Sequence, residues 1–210
     1  MIVKNNLLLK IFRDKYASLA KNNVDLDYFK NTKVRIFFLD SAENMIAGYC
    51  ICSGPNYRTF LPLSPIKLKE INELYNFNAK PPHEITCLWI EKKSRQGTWI
   101  IYFFLVLCFD ILTLRSGPMI FGTHGKNINN YFCLAFPTVI FFDRLYVATK
   151  GEECNFWLRK GSKLQFLKAF ITLSTIRLFF GSKSLARFRL WLDKKDKAKT
   201  DKAKADSLRS

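Results

Sequence analysis

The sequence predicts an α/β domain over residues 1–161, with a mixed sheet and flanking helices, followed by a helical extension. Three observations point there. Short runs with strand character alternate with runs of helical period, so strands and helices interleave along the chain. Apolar residues make up 49% of the 210 residues and aromatics 15%, with 20 Phe, which fills a core and excludes a largely disordered chain. The longest uncharged apolar run, Thr98 to Phe109, closes at Asp110, short of the roughly 20 residues a membrane span needs, and so reads as a buried helix.

Residues 7–21 place Leu8, Ile11, Phe12 and Leu19 among charges, as an amphipathic first helix does. A polar stretch, 22–33, follows. Residues 34–39 and 45–52 read as a hairpin whose second strand carries Gly48, a position for a bulge or a close approach. Ser53-Gly54-Pro55 breaks the pattern, and Arg58 to Pro62 lead into a Pro- and Lys-containing connection. Residues 83–91 form the clearest central strand, with Ile85, Cys87 and Trp89 alternating with Glu84, Thr86 and Leu88. A basic loop, 92–97, feeds the buried helix of 98–114, which Ser116-Gly117-Pro118 ends. Then come a strand at 119–123, a helix at 126–136, and a hairpin from 139–147 and 154–159. Residues 162–193 are a basic helical extension, and 194–210 a Lys-rich, disordered tail.

Lys and Arg number 34 against 17 acids, a net charge of +17 that points to a polyanionic partner. Residues 155–210 supply +11 of it, through 15 basic residues and four Asp. That segment fits contact with an anionic membrane surface; nucleic acid is the rival, although no recognisable binding motif is present. Six cysteines, mostly inside apolar runs and without a CxxC pair, fit reduced core thiols in a cytoplasmic protein, one able to sit peripherally at the inner membrane face. No signal peptide is expected from residues 1–9.

A basic loop between a central strand and a helix start is an anion site by physics, because free backbone N–H groups and the helix dipole meet there. Arg95, Gln96, Gly97 and Thr98 are the candidates for a phosphate cradle, with Lys92 and Lys93 outside them; the alternative is a solvated basic turn. With the element order, residues 7–160 resemble the GCN5-related acyltransferases, which seat the pyrophosphate of acyl-CoA at this junction. Gly97 fills the first glycine of that family's motif, while Ser94 and Trp99 depart from it. Ala47-Gly-Tyr-Cys50, Ser53-Gly-Pro-Asn-Tyr57, Phe60-Leu-Pro62 and Glu84-Ile-Thr-Cys-Leu-Trp-Ile90 are similar to the acyl-homoserine-lactone synthases and long-chain N-acyl amino acid synthases. Ile51 and Cys87 stand where those enzymes carry Arg.

The resemblance implies a mostly antiparallel sheet and transfer of an acyl group to an amine, with acyl-CoA or acyl carrier protein as co-substrate and no permanently bound cofactor. Direct transfer needs a neutral amine, a close thioester and a donor for the oxyanion. Glu84 is the candidate base, directly or through a water; the alternative is a strand-end ion pair. Tyr131 lies near where relatives keep a general-acid tyrosine. Asp25 and Asp27 match an acidic pair that would hold a cationic amine, or are solvated loop acids. His83 and His124 are weaker candidates, and neither has a cysteine at metal-ligand spacing, so no metal is expected. Phe103, Phe104, Phe109, Phe141 and Phe142 suit an acyl groove or a core. Other readings are an acetyl-CoA-dependent N-acetyltransferase and a non-catalytic membrane or nucleic-acid binding module on the same fold.

Overall fold

The computed structural model describes residues 1–39, 44–91, 99–148 and 150–176. Strand β1 (Ile2–Val3) precedes helix α1 (Asn6–Ala20). Asn5 caps α1 by accepting from the N–H groups of Leu7 and Leu8, and the helix buries Leu9, Phe12 and Tyr16 before Lys21 turns left-handed. Asp25 caps the short α2 (Leu26–Lys30) in the stretch read as merely polar. Strands β2 (Lys33–Phe38) and β3 (Met45–Cys52) form the expected hairpin. A 3-10 turn (Arg58–Phe60) and α3 (Pro65–Leu74) replace the expected loop-like connection; Ser64 caps α3 and Pro65 opens it. Then follow β4 (His83–Ile90), α4 (Trp99–Leu112), β5 (Met119–Thr123), α5 (Lys126–Phe132), β6 (Thr138–Val147) and β7 (Glu152–Gly161), and residues 163–176 are helical.

The seven strands lie in the order β1-β2-β3-β4-β5-β7-β6, antiparallel at every pair but β4 and β5. The sheet is mixed and mostly antiparallel, as expected. One face carries a continuous core in which Tyr49, Ile51, Ile85 and Phe121 meet Phe103, Phe132 and Phe166 from α4, α5 and the last helix. The opposite face carries two separate clusters. Around α1 and α2, Phe12 and Phe29 pack on Val34, Cys50, Cys87 and Trp89; around α3, Phe60 and Ile71 pack on Ile120 and Leu158. Full burial of each such Phe or Ile stabilises the fold by about 1.5–3 kcal/mol. Gly48 permits α1 to lie so close: a Cβ there would fall 2.5 Å from the Phe12 ring and 2.7 Å from the Arg35 carbonyl oxygen.

Cys87 and Trp89 do not share a face with Ile85. A bulge in β4 sets Cys87 and Leu88 against Tyr49 alone and flips the alternation, which the sequence pattern concealed. Asp110, 1% exposed on the apolar α4, accepts from Tyr49 (2.8 Å), Arg35 Nε (2.9 Å) and Lys33 (3.0 Å), tying α4 to β2 and β3. Burial pushes its carboxyl up, yet these hydrogen bonds outweigh that and hold it below the usual range. Phe166 and Ala169 are buried in the main core, so the helix after β7 is packed into the domain rather than appended to it. All six cysteines are free, five of them buried. Among the described residues no helix is long and apolar enough to cross a membrane. The extension from residue 177 and the Lys-rich tail lie outside the described residues.

Candidate functional site

Strands β4 and β5 run parallel but pair only at His83↔Met119 and Glu84↔Ile120. Beyond those two rungs β4 stays with β3 while β5 stays with β7, so the strands part and leave a wedge from Thr86 onward. The bulge sits on the β4 side of this wedge and gives Cys87 a φ of 49°. It takes the peptide groups of Cys87 and Leu88 out of simple register with β3.

Glu84 lies at the point where the strands part and has 0% exposure. Its Oε2 accepts from the Tyr28 hydroxyl and the Arg58 N–H, both at 3.0 Å, and its Oε1 accepts from the Thr59 N–H at 2.8 Å. Burial pushes its carboxyl up, and the hydrogen bonds from Thr59, Arg58 and Tyr28 only partly offset it. The carboxylate thus clasps the 3-10 turn to β4. Thr59 reaches across to β5, where a Cβ on Gly122 would fall 2.4 Å from its Cγ2. The Thr59 hydroxyl is buried and has no hydrogen-bond partner.

The Arg58 side chain turns back toward α1. Nη1 donates to Thr86 Oγ1 (3.2 Å) and Cys87 Sγ (3.0 Å), and Nη2 to Asn22 Oδ1 (3.1 Å). The guanidinium carbon lies 6.0 Å from the Tyr16 ring centroid and 5.7 Å from that of Tyr28. Burial raises the Cys87 thiol, but hydrogen bonding with Cys50 and the Arg58 charge outweigh it, so the net direction is downward. His124, at the end of β5, is held down at about 4 by burial and then by the charges of Lys150 and Arg58. It is therefore a neutral imidazole at physiological pH.

The residues predicted from sequence fall in different places. Glu84 is at the wedge. Tyr131 is not beside it: it stacks on Phe104 at 5.9 Å in the core of the opposite sheet face. There it lines an apolar cleft, open to solvent, with Ile101, Phe132, Phe166 and Leu173. Asp25 and Asp27 are exposed and locally engaged: Asp25 caps α2, and Asp27 pairs with Lys30 at 2.6 Å. His83 is a satisfied interior group. Its Nε2–H donates to the Arg115 carbonyl (2.9 Å), which leaves Nδ1 to accept from Ser53 (2.8 Å). Phe109 is exposed and Phe103 buried in the core. The cradle residues Arg95, Gln96, Gly97 and Thr98 lie outside the described residues. Among the described residues no group of three or more His, Cys, Asp or Glu is placed to hold a metal.

Sequence reasoning missed Tyr28, Arg58 and Thr59. Arg58-Thr59-Phe60 directly follows the quoted Ser53–Tyr57 segment, which was the available signal for two of them; Tyr28 is marked only by lying three residues beyond a capping Asp.

No protein-family model and no curated protein matches the sequence. Among solved structures, the chain is similar to FeeM, an N-acyl amino acid synthase from uncultured soil microbes. The two superpose with a TM-score of 0.57 at 11% identity, covering 80% of this chain and 97% of FeeM. The chain has the GCN5-related acyltransferase fold. At this identity the likeness concerns the fold, and within it the parted β4 and β5 and the buried Glu84 are the candidate site.

Proposed function

We propose that the protein is an N-acyltransferase moving an acyl group from acyl-CoA or acyl carrier protein to an amine, in the manner of the N-acyl amino acid synthases or autoinducer synthases. The observation that carries this reading is the wedge between β4 and β5, with a buried carboxylate where the strands part. An extended thioester arm fits between strands that no longer pair, and we assign the donor for the oxyanion to a peptide N–H at the bulge. The acceptor approaches from the α1–α2 side, where Tyr28 and Arg58 stand. Its nitrogen attacks the thioester carbonyl, the C–S bond breaks, and the donor leaves as a thiolate. The amine proton passes to the Tyr28 oxygen as Tyr28 gives its own proton to Glu84, whose raised carboxyl suits it to that task. We assign Tyr131 to the wall of the apolar cleft, which favours a long acyl chain over acetyl.

The experiment is a calorimetric and intact-mass screen against acetyl-, octanoyl- and palmitoyl-CoA, free CoA and an acylated carrier protein. Saturable binding that tightens with chain length is the expected result. Preference for acetyl-CoA replaces the long-chain reading with a plain acetyltransferase. No binding of any donor refutes acyl transfer.

A further inference from the structure

We infer that Arg58 reads a carboxylate on the acceptor, supplying from the 3-10 turn the cation that Ile51 and Cys87 do not supply from the strands. The inference rests on the acyltransferase reading of the wedge. A guanidinium enclosed by protein is costly unless an anion meets it, and among the described residues no carboxylate oxygen lies within 4.0 Å of the Arg58 guanidinium, on which the Glu84 charge acts only from farther off. Its hydrogen-bond acceptors are an amide, a hydroxyl and a cysteine sulfur. The neighbouring Glu84 carboxylate is occupied instead by the backbone N–H groups of Arg58 and Thr59 and by the Tyr28 phenol. Two tyrosine rings flank the guanidinium, which fixes its plane, and a fixed fork is what bidentate carboxylate recognition requires. Arg58 keeps part of its surface open.

The surroundings favour an anion with further hydrogen-bonding capacity beside it. The Thr59 hydroxyl is buried without a partner one residue along. His124 is held neutral by burial and by Lys150 and Arg58, so it does not compete as a second cation. Arg58 Nη1 reaches the Cys87 thiol from the 3-10 turn. Arg58 acts here as a specificity residue that anchors the acceptor; the reacting nitrogen lies at Tyr28.

The test uses two product mimics that differ only in the carboxylate, N-dodecanoyl-phenylalanine and N-dodecanoyl-2-phenylethylamine, with binding to the full-length protein measured by calorimetry. The wild type should bind the acid about 10- to 100-fold more tightly, the range of a charge-assisted hydrogen-bonded pair. Arg58→Met should remove that preference and leave affinity for the neutral amide within about threefold, while Arg58→Lys should restore part of it, since it keeps the charge without the fork. If Arg58→Met fails to fold, Asn22→Ala, which releases Nη2, should weaken the acid several-fold and spare the amide. Equal affinities in the wild type, equal weakening of both mimics, or binding of neither overturns the inference. Donor binding without carboxylate discrimination sinks Arg58 and spares the acyltransferase; discrimination with no donor bound does the reverse.

Discussion

Replacing Glu84 by Gln separates the two jobs that the geometry gives this residue. The Gln carbonyl can take the place of Oε2 and keep the bonds from Tyr28 and Arg58, both at 3.0 Å. Its NH₂ then faces the Thr59 N–H, which now donates to Oε1 at 2.8 Å. Donor against donor in a fully buried place costs about 1–3 kcal/mol. The loss of a buried charge works the other way, since the Glu84 carboxyl is raised in the fold. A raised carboxyl stabilises the fold most when protonated, and that contribution fades as pH rises through its folded value. The net loss at neutral pH is expected near 1 kcal/mol, a fall in melting temperature of about 2–4 °C for a domain of this size. Acyl transfer should fall by about 10²–10⁴-fold, the worth of a positioned base. Thermal unfolding and CoA release measured on one preparation read both quantities. The difference in stability between wild type and variant should shift in favour of the variant as pH rises above the ordinary carboxylate range. A folded variant with turnover within about threefold of wild type would show that Glu84 only clasps the turn, and the base assignment would be wrong.

Tyr28→Phe removes the relay but leaves both backbone bonds to Glu84, so turnover should drop about 10- to 100-fold for about 1 kcal/mol of stability; equal activity in a continuous assay would place the proton path elsewhere. Asp110→Asn loosens Arg35, Lys33 and Tyr49 at once and should cost about 3 kcal/mol in urea unfolding at pH 7. Because the Asp110 carboxyl is held low, its contribution is complete above its unfolded value and is lost as pH falls through the folded one; the variant should therefore show a shallower acid limb below about pH 4. Phe166→Ala should cost about 3–5 kcal/mol, whereas a helix outside the domain would give near zero. Ending the chain after Gly161, which removes Phe166 and Ala169 together, should be worse still.

Much of the fold was legible because local pattern and burial agree. The strand at 45–52 reads cleanly because it lies inside the sheet, and the helix of 99–112 because its run is apolar on nearly every side. Where the reading failed, a single capping atom or a single inserted residue decided the outcome. Asp25 caps α2 with one hydrogen bond inside a polar stretch, and Ser64 with Pro65 starts α3 where the composition looks like a loop. The bulge at Cys87 breaks no hydropathy rule, since apolar residues continue on both sides of it. Glu84 was visible because a carboxylate at the start of an otherwise buried strand is out of place. Arg58 and Tyr28 were not, because their roles arise from folding back onto that carboxylate from 26 and 56 residues away.

The two-rung junction of β4 and β5 also sets how the molecule can deform. The sheet is two antiparallel blocks, β1 to β4 and β5 with β7 and β6, hinged at that junction. On one side a continuous apolar cluster spans both blocks and acts as a spine. On the other side the clusters are separate, and the 58–60 turn crosses between the blocks, hydrogen-bonded to one through Glu84 and packed on the other through Gly122. Splaying therefore has a preferred direction. A load that parts the blocks meets least packing on the side of α1 to α3, where the clusters are separate and the 58–60 turn bridges them.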